Sequence, residues 1–142
     1  MSSLPDSIQS LFIVAGWTPK QPQLSSQDVS SFSADYVLSE FGGLEVGSCG
    51  PGLECTTSNI RFLSNVNEGK NSVTTPWERK LGLLVAVADA HNDHIIVYTD
   101  RKGIYYFFTE PDEQLYLGGN SFGEAMERLL LGKAYGPRID RT

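Results

Sequence analysis

The sequence predicts an α+β fold: a central antiparallel sheet of about five or six strands, with N-terminal helices before it and a C-terminal helix after it. Two observations carry this expectation. Apolar residues recur at helical spacing near both ends, and each run meets a glycine. Between them lie short segments rich in β-branched and aromatic residues, separated by turn residues.

The first helix is predicted from Leu4, Ile8, Leu11, Phe12 and Ala15, with Ser3 and Asp6 able to cap its start and Gly16 to stop it. Trp17-Thr18-Pro19 bends the chain into a Pro-, Gln- and Ser-rich loop. A second helix is predicted over Gln27 to Phe41, capped by Ser25 or Ser26, with Asp28 favourable in its first turn and Gly42-Gly43 ending it. Leu44-Glu45-Val46 reads as a short strand, Gly47 to Gly52 as a turn, and Leu53 to Leu63 as a second strand.

Ser64 to Thr74 is polar and reads as a surface loop. Thr75-Pro76-Trp77-Glu78 then opens a short helix, with proline at the first helical position and a Thr75/Glu78 capping box. Three strands are expected at Leu83 to Ala88, His94 to Thr99 and Gly103 to Thr109, with Asp100 to Gly103 as a hairpin connection. Gln114 to Leu117 adds a short edge strand. Ser121-x-x-Glu124 is a capping box for the last helix, Phe122 to Leu131, which Gly132 stops. The tail from Lys133 is basic and expected to be loose. The whole reads as one domain over residues 1–142, with its core at about 4–132.

Net charge is −6 and the pI about 4.8. Phosphate contacts need a basic face, so nucleic acid is an unsuitable partner and a basic protein a suitable one. The apolar runs Leu83 to Ala88 and Ile104 to Phe108 fall far short of a membrane span, and the N-terminus lacks a signal core, so a cytoplasmic address is expected. There, Cys49 and Cys55 are expected as reduced thiols, a small-loop disulfide being the alternative; their spacing matches no zinc knuckle.

Ligand-type residues are densest in Asp89-Ala90-His91-Asn92-Asp93-His94. They could hold a divalent metal, but polar residues are also what an interstrand turn requires, and the turn reading is preferred. Neither a Cys–His nucleophile nor a carboxylate pair has local support. Gly42-Gly43 follows a helix, and Gly118-Gly119 has no basic neighbour, so neither reads as a phosphate loop. No catalytic residue, cofactor or metal ligand is assigned. Between Gly82 and Asn120, however, there are six acids (Asp89, Asp93, Asp100, Glu110, Asp112 and Glu113) against two bases. All six fall at turns or strand ends. With Trp77, expected to be partly exposed after its polar loop, they form the candidate partner-binding set.

Several stretches, in this order, resemble the SUKH superfamily, specifically its third subfamily. They are Ala15-Gly16-Trp17-Thr18-Pro19, Leu38-Ser39-Glu40-Phe41-Gly42-Gly43-Leu44, Leu81-Gly82, Gly103-Ile104-Tyr105, and Gly118 through Ser121 into Glu124 to Gly132. Order and spacing carry the likeness, over roughly Leu4 to Gly132. Members are mostly immunity proteins of bacterial polymorphic toxin systems. The resemblance implies an α+β fold, no catalysis, and neutralisation of a cognate toxin domain, often a nuclease or deaminase, by direct contact. A monomer or weak dimer is expected. The alternatives are a regulatory scaffold without a toxin partner and, ranked last, a metal-dependent enzyme at His91 and His94. Two departures bear on a shared binding surface: Lys20-Gln21 stands where the family often has Gly-Arg, and Val85-Ala86-Val87-Ala88 stands where it usually has proline and glycine.

Overall fold

The computed structural model describes residues 4–18, 33–64 and 74–140. The element order is α1 (Asp6–Val14), α2 (Ser33–Phe41), β1 (Glu45–Val46), β2 (Ile60–Phe62), α3 (Thr75–Leu81), β3 (Val85–Ala90), β4 (Ile95–Thr99), β5 (Tyr105–Thr109), β6 (Gln114–Gly119), α4 (Phe122–Leu131) and β7 (Arg138–Ile139). The fold is α+β, as the sequence predicts. The Ser3 cap, the Gln27 helix start with its serine caps, Lys20-Gln21 and the polar stretch 65–73 lie outside the described residues.

The strands form one antiparallel sheet of 7, paired in chain order from β1 to β7. The seventh strand is a correction, because the tail expected to be loose folds back onto β6. Leu115 pairs with Ile139 and Tyr116 with Arg138, while the Tyr135 ring packs edge-on against Phe107 at 5.0 Å. The second strand is also shorter than expected. It spans only Ile60–Phe62, because the backbone donors of Leu53, Glu54 and Cys55 go to α4 rather than to a neighbouring strand.

Side chains alternate across β5, so Tyr105 and Phe107 face one side and Tyr106 and Phe108 the other. On the first side Tyr105 meets Phe122 of α4 at 5.7 Å, and α1 and α2 join through an aromatic cluster. Phe41 stacks on Phe122 at 5.2 Å, and Phe12 meets Phe41 at 5.0 Å and Phe62 at 6.0 Å. Hydrogen bonds tie the same helices together: Trp17 Nε1–H donates to Glu40 at 3.0 Å, and the Ser7 hydroxyl to Glu127 at 2.6 Å. On the second side Trp77 of α3 packs edge-on against Phe108 at 5.9 Å.

Local rules account for the helix ends. At α4, Ser121 Oγ accepts the Glu124 N–H at 3.2 Å, and the Glu124 carboxylate reaches back to the Asn120 N–H at 2.6 Å. This is the expected capping box, with its return bond one residue early. Gly132 ends the helix in the left-handed region, at φ 75° and ψ 46°. At α3 the cap position is Thr74, not Thr75. Glu78 serves the next strand instead, accepting the Leu84 N–H at 3.2 Å.

Candidate functional site: a loop face at one end of the sheet

In an antiparallel meander, alternate connections fall at the same end of the sheet. The β1–β2 loop (47–59), the β3–β4 turn (91–94) and the β5–β6 turn (110–113) therefore share one end. Direct contacts join them. The Glu110 N–H donates to His94 O at 2.8 Å, the His91 N–H to Asn59 O at 2.9 Å, and the Asn92 N–H to Asn59 Oδ1 at 2.9 Å.

The β3–β4 turn holds three successive non-glycine residues at positive φ: His91 (52°), Asn92 (53°) and Asp93 (71°). His, Asn and Asp tolerate this region better than most side chains, which accounts for the polar run. Asn59 clamps the turn through both its backbone and its side-chain oxygen. His91 Nδ1 lies 3.1 Å from Ser58 Oγ and 3.8 Å from Cys49 Sγ. Both cysteines are free thiols. Among the described residues, no group of three His, Cys, Asp or Glu side chains is placed to hold a metal ion.

The expected site residues divide. Asp93, Asp112 and Glu113 are exposed on the two turns, and Glu110 is half-buried beside them. Asp112 Oδ1 accepts the Thr109 hydroxyl at 2.6 Å. Asp89 sits on β3 one residue before the strand's end and pairs with Arg61 of β2.

Two expected members are corrected. Asp100 lies in the β4–β5 connection, at the opposite end of the sheet, and is 5% exposed. Its Oδ1 accepts the Lys102 N–H at 2.9 Å and the Ile104 N–H at 3.0 Å, so the carboxylate closes its own turn. Trp77 is 1% exposed, and its Nε1–H donates to Ile139 O at 2.8 Å. The acceptor belongs to β7, which the sequence did not reveal, and it lets the indole be buried with its polar edge satisfied.

The β1–β2 loop contributes residues absent from the expected set. Leu53 is 70% exposed, and the exposed Glu54 accepts the Ala134 N–H at 2.7 Å. A cue was present: Leu53 is the one large aliphatic between Gly47 and Thr57, and strand-like alternation drew it into a strand.

Electrostatics favour a net negative face. Arg61 is engaged by Asp89, Arg138 by Asp140 at 3.6 Å, and Lys133 by Glu127 at 3.9 Å. The nearest bases are thus answered within the chain. Burial, and then the Glu110, Asp89 and Glu78 carboxylates, push the Tyr98 phenol well above its ordinary range.

A family model described as SUKH-3 immunity protein matches residues 4–132. No curated protein and no solved structure matches the chain.

Proposed function

The chain belongs to the SUKH-3 immunity protein family, and from that premise we propose that it neutralises a cognate toxin protein by binding it through the loop face. The toxin domain is a nuclease or deaminase. Its substrate groove is basic, because it must attract phosphate. An acidic face can steer onto such a groove and cover it. No reaction is required of the immunity protein; occupancy alone excludes the substrate. Docking takes place in the cytoplasm, by a monomer or weak dimer.

The observation that carries this reading is the convergence of Asp93, Asp112 and Glu113 on adjacent turns of a sheet end whose nearby bases are already paired. Co-expression with the toxin domain of the neighbouring reading frame is the test. Growth rescue, with a purified 1:1 complex that protects the toxin's substrate, is the expected result. Absence of both rescue and complex, with every toxin encoded nearby, refutes the proposal and favours a regulatory scaffold.

A further inference from the structure

The β1–β2 loop is built more firmly than its Gly- and Pro-rich sequence suggests. A helix leaves its last carbonyls without intrahelical partners. Here the loop supplies them: the Leu53 N–H donates to Leu131 O at 2.9 Å, and the Glu54 and Cys55 N–H groups to Gly132 O at 2.7 and 2.8 Å. Gly52 lies flat against the helix end. A Cβ built on it would stand 2.7 Å from Gly132 Cα and 2.8 Å from Leu131 O. A bridge between Gly50 and Thr57 closes the loop's base. Further out, the Glu54 carboxylate holds the Ala134 N–H at 2.7 Å.

This frame presents an apolar knuckle. Pro51 and Leu53 are both exposed, on backbone that is pinned on each side. Isolated exposed leucines are ordinary; Leu53 differs in its setting. The other large exposed apolar side chains, Ile13, Val14 and Leu83, lie on α1 or just before β3. Leu53 alone among them belongs to the loop face, next to Glu54 and on the loop that clamps the Asp93 turn through Asn59.

We infer that Leu53 is the apolar anchor of the toxin interface, seating in a hydrophobic pocket ringed by basic side chains on the partner. The inference rests on the immunity reading and deepens it. Hot spots are central apolar groups surrounded by polar contacts that exclude water. A knuckle already ordered in the free protein loses little entropy on docking, so its burial is converted efficiently into affinity. The carboxylates around it set the partner's chemistry: a purely apolar partner would leave them desolvated and unpaired, whereas a basic rim answers them.

The test uses the full chain and the purified, catalytically inactivated toxin domain of the neighbouring reading frame, titrated calorimetrically. Leu53→Asp and Leu53→Ala are compared with Val14→Asp, a control at a more exposed residue (86%) outside the loop face. The expected result is a loss of at least about 30-fold in affinity for Leu53→Asp, about 10-fold for Leu53→Ala, and under about 3-fold for Val14→Asp. Unchanged thermal melts of the Leu53 variants assign the loss to the interface. A wild-type complex that both Leu53 variants match within about 3-fold overturns the anchor and leaves the immunity reading standing. A wild-type chain that binds no toxin sinks the immunity reading, and the anchor with it.

Discussion

Removing the Asp100 carboxylate tests the division between structural and interfacial acids most directly. Its Oδ1 accepts two backbone donors, Lys102 N–H and Ile104 N–H, in a turn whose other bonds are Asp100 N–H to Ile104 O at 3.1 Å and Gly103 N–H to Asp100 O at 3.4 Å. Asp100→Ala leaves both donors without that acceptor. Lys102 is exposed and water can replace the lost bond there; Ile104 is half-buried and rehydrates less easily. One charge-assisted bond lost outright and a second partly replaced amount to about 2–4 kcal/mol. Asp100→Asn keeps an oxygen in the same place and loses only the charge, so about 1 kcal/mol is expected. For a chain of this length, 1 kcal/mol moves the melting midpoint by about 4 °C. Urea unfolding followed by tryptophan fluorescence, with a parallel thermal melt, should rank the variants wild type, Asn, Ala. Toxin affinity of the folded Asn variant should be unchanged. An Ala variant within about 0.5 kcal/mol of wild type refutes the turn-closing role. An Asn variant of wild-type stability that loses its partner would place Asp100 in the interface after all.

Charge reversal at the other end should behave oppositely: Asp112→Lys with Glu113→Lys takes the formal net charge from −6 to −2, and stopped-flow association with the toxin should slow about 10-fold at low salt, converging with wild type as salt screens the difference. Stability should change by less than about 1 kcal/mol, since only the Thr109 hydroxyl bond to Asp112 is lost among those described. Asn59→Ala removes the side-chain clamp on the Asn92 N–H, and hydrogen exchange should accelerate at that amide, with a stability loss of about 1–2 kcal/mol. Burial raises the phenol pKa values of Tyr98, Tyr105, Tyr106 and Tyr135 in the folded chain. Unfolded tyrosines therefore release protons first, so stability is fully present below about pH 10 and falls as pH rises above it; urea midpoints at pH 8, 10 and 11 that do not decline would contradict this.

How much of this was legible depended on the range of the interactions. The α4 capping box and its Gly132 stop are local, and both were readable from residue types and spacing. The aromatic cluster was readable as three separate apolar faces, at Phe12, Phe41 and Phe122, though not as one stack. The failures are long-range. Trp77 finds its acceptor at Ile139, 62 residues away, in a strand of two residues that no periodicity announces. Leu53 to Thr57 alternates like a strand, yet its donors go to the end of α4, a partner chosen by tertiary packing. The third strand begins at Val85 rather than Leu83 and runs to Ala90, which moves Asp89 from the expected turn onto the sheet beside Arg61.

The six acids between Gly82 and Asn120 look alike in sequence, and chain parity separates them. Each antiparallel strand reverses direction, so successive connections alternate between the two ends of the sheet. Asp93 and the Glu110–Glu113 group follow β3 and β5 and reach one end, whereas Asp100 follows β4 and reaches the other. At its end the chain uses a carboxylate to saturate backbone donors, and solvent is shut out. At the loop face, backbone needs are met by other means: Asn59 clamps one turn, and the turn from Glu110 bonds to His94 O. The exposed Asp93 is therefore not consumed in closing its turn in the way Asp100 is. A carboxylate required by its own turn cannot be altered without loss of stability. One on a turn held by other groups can vary with the partner. The loop face is thus the part of this fold where partner specificity can change while the aromatic core stays as it is.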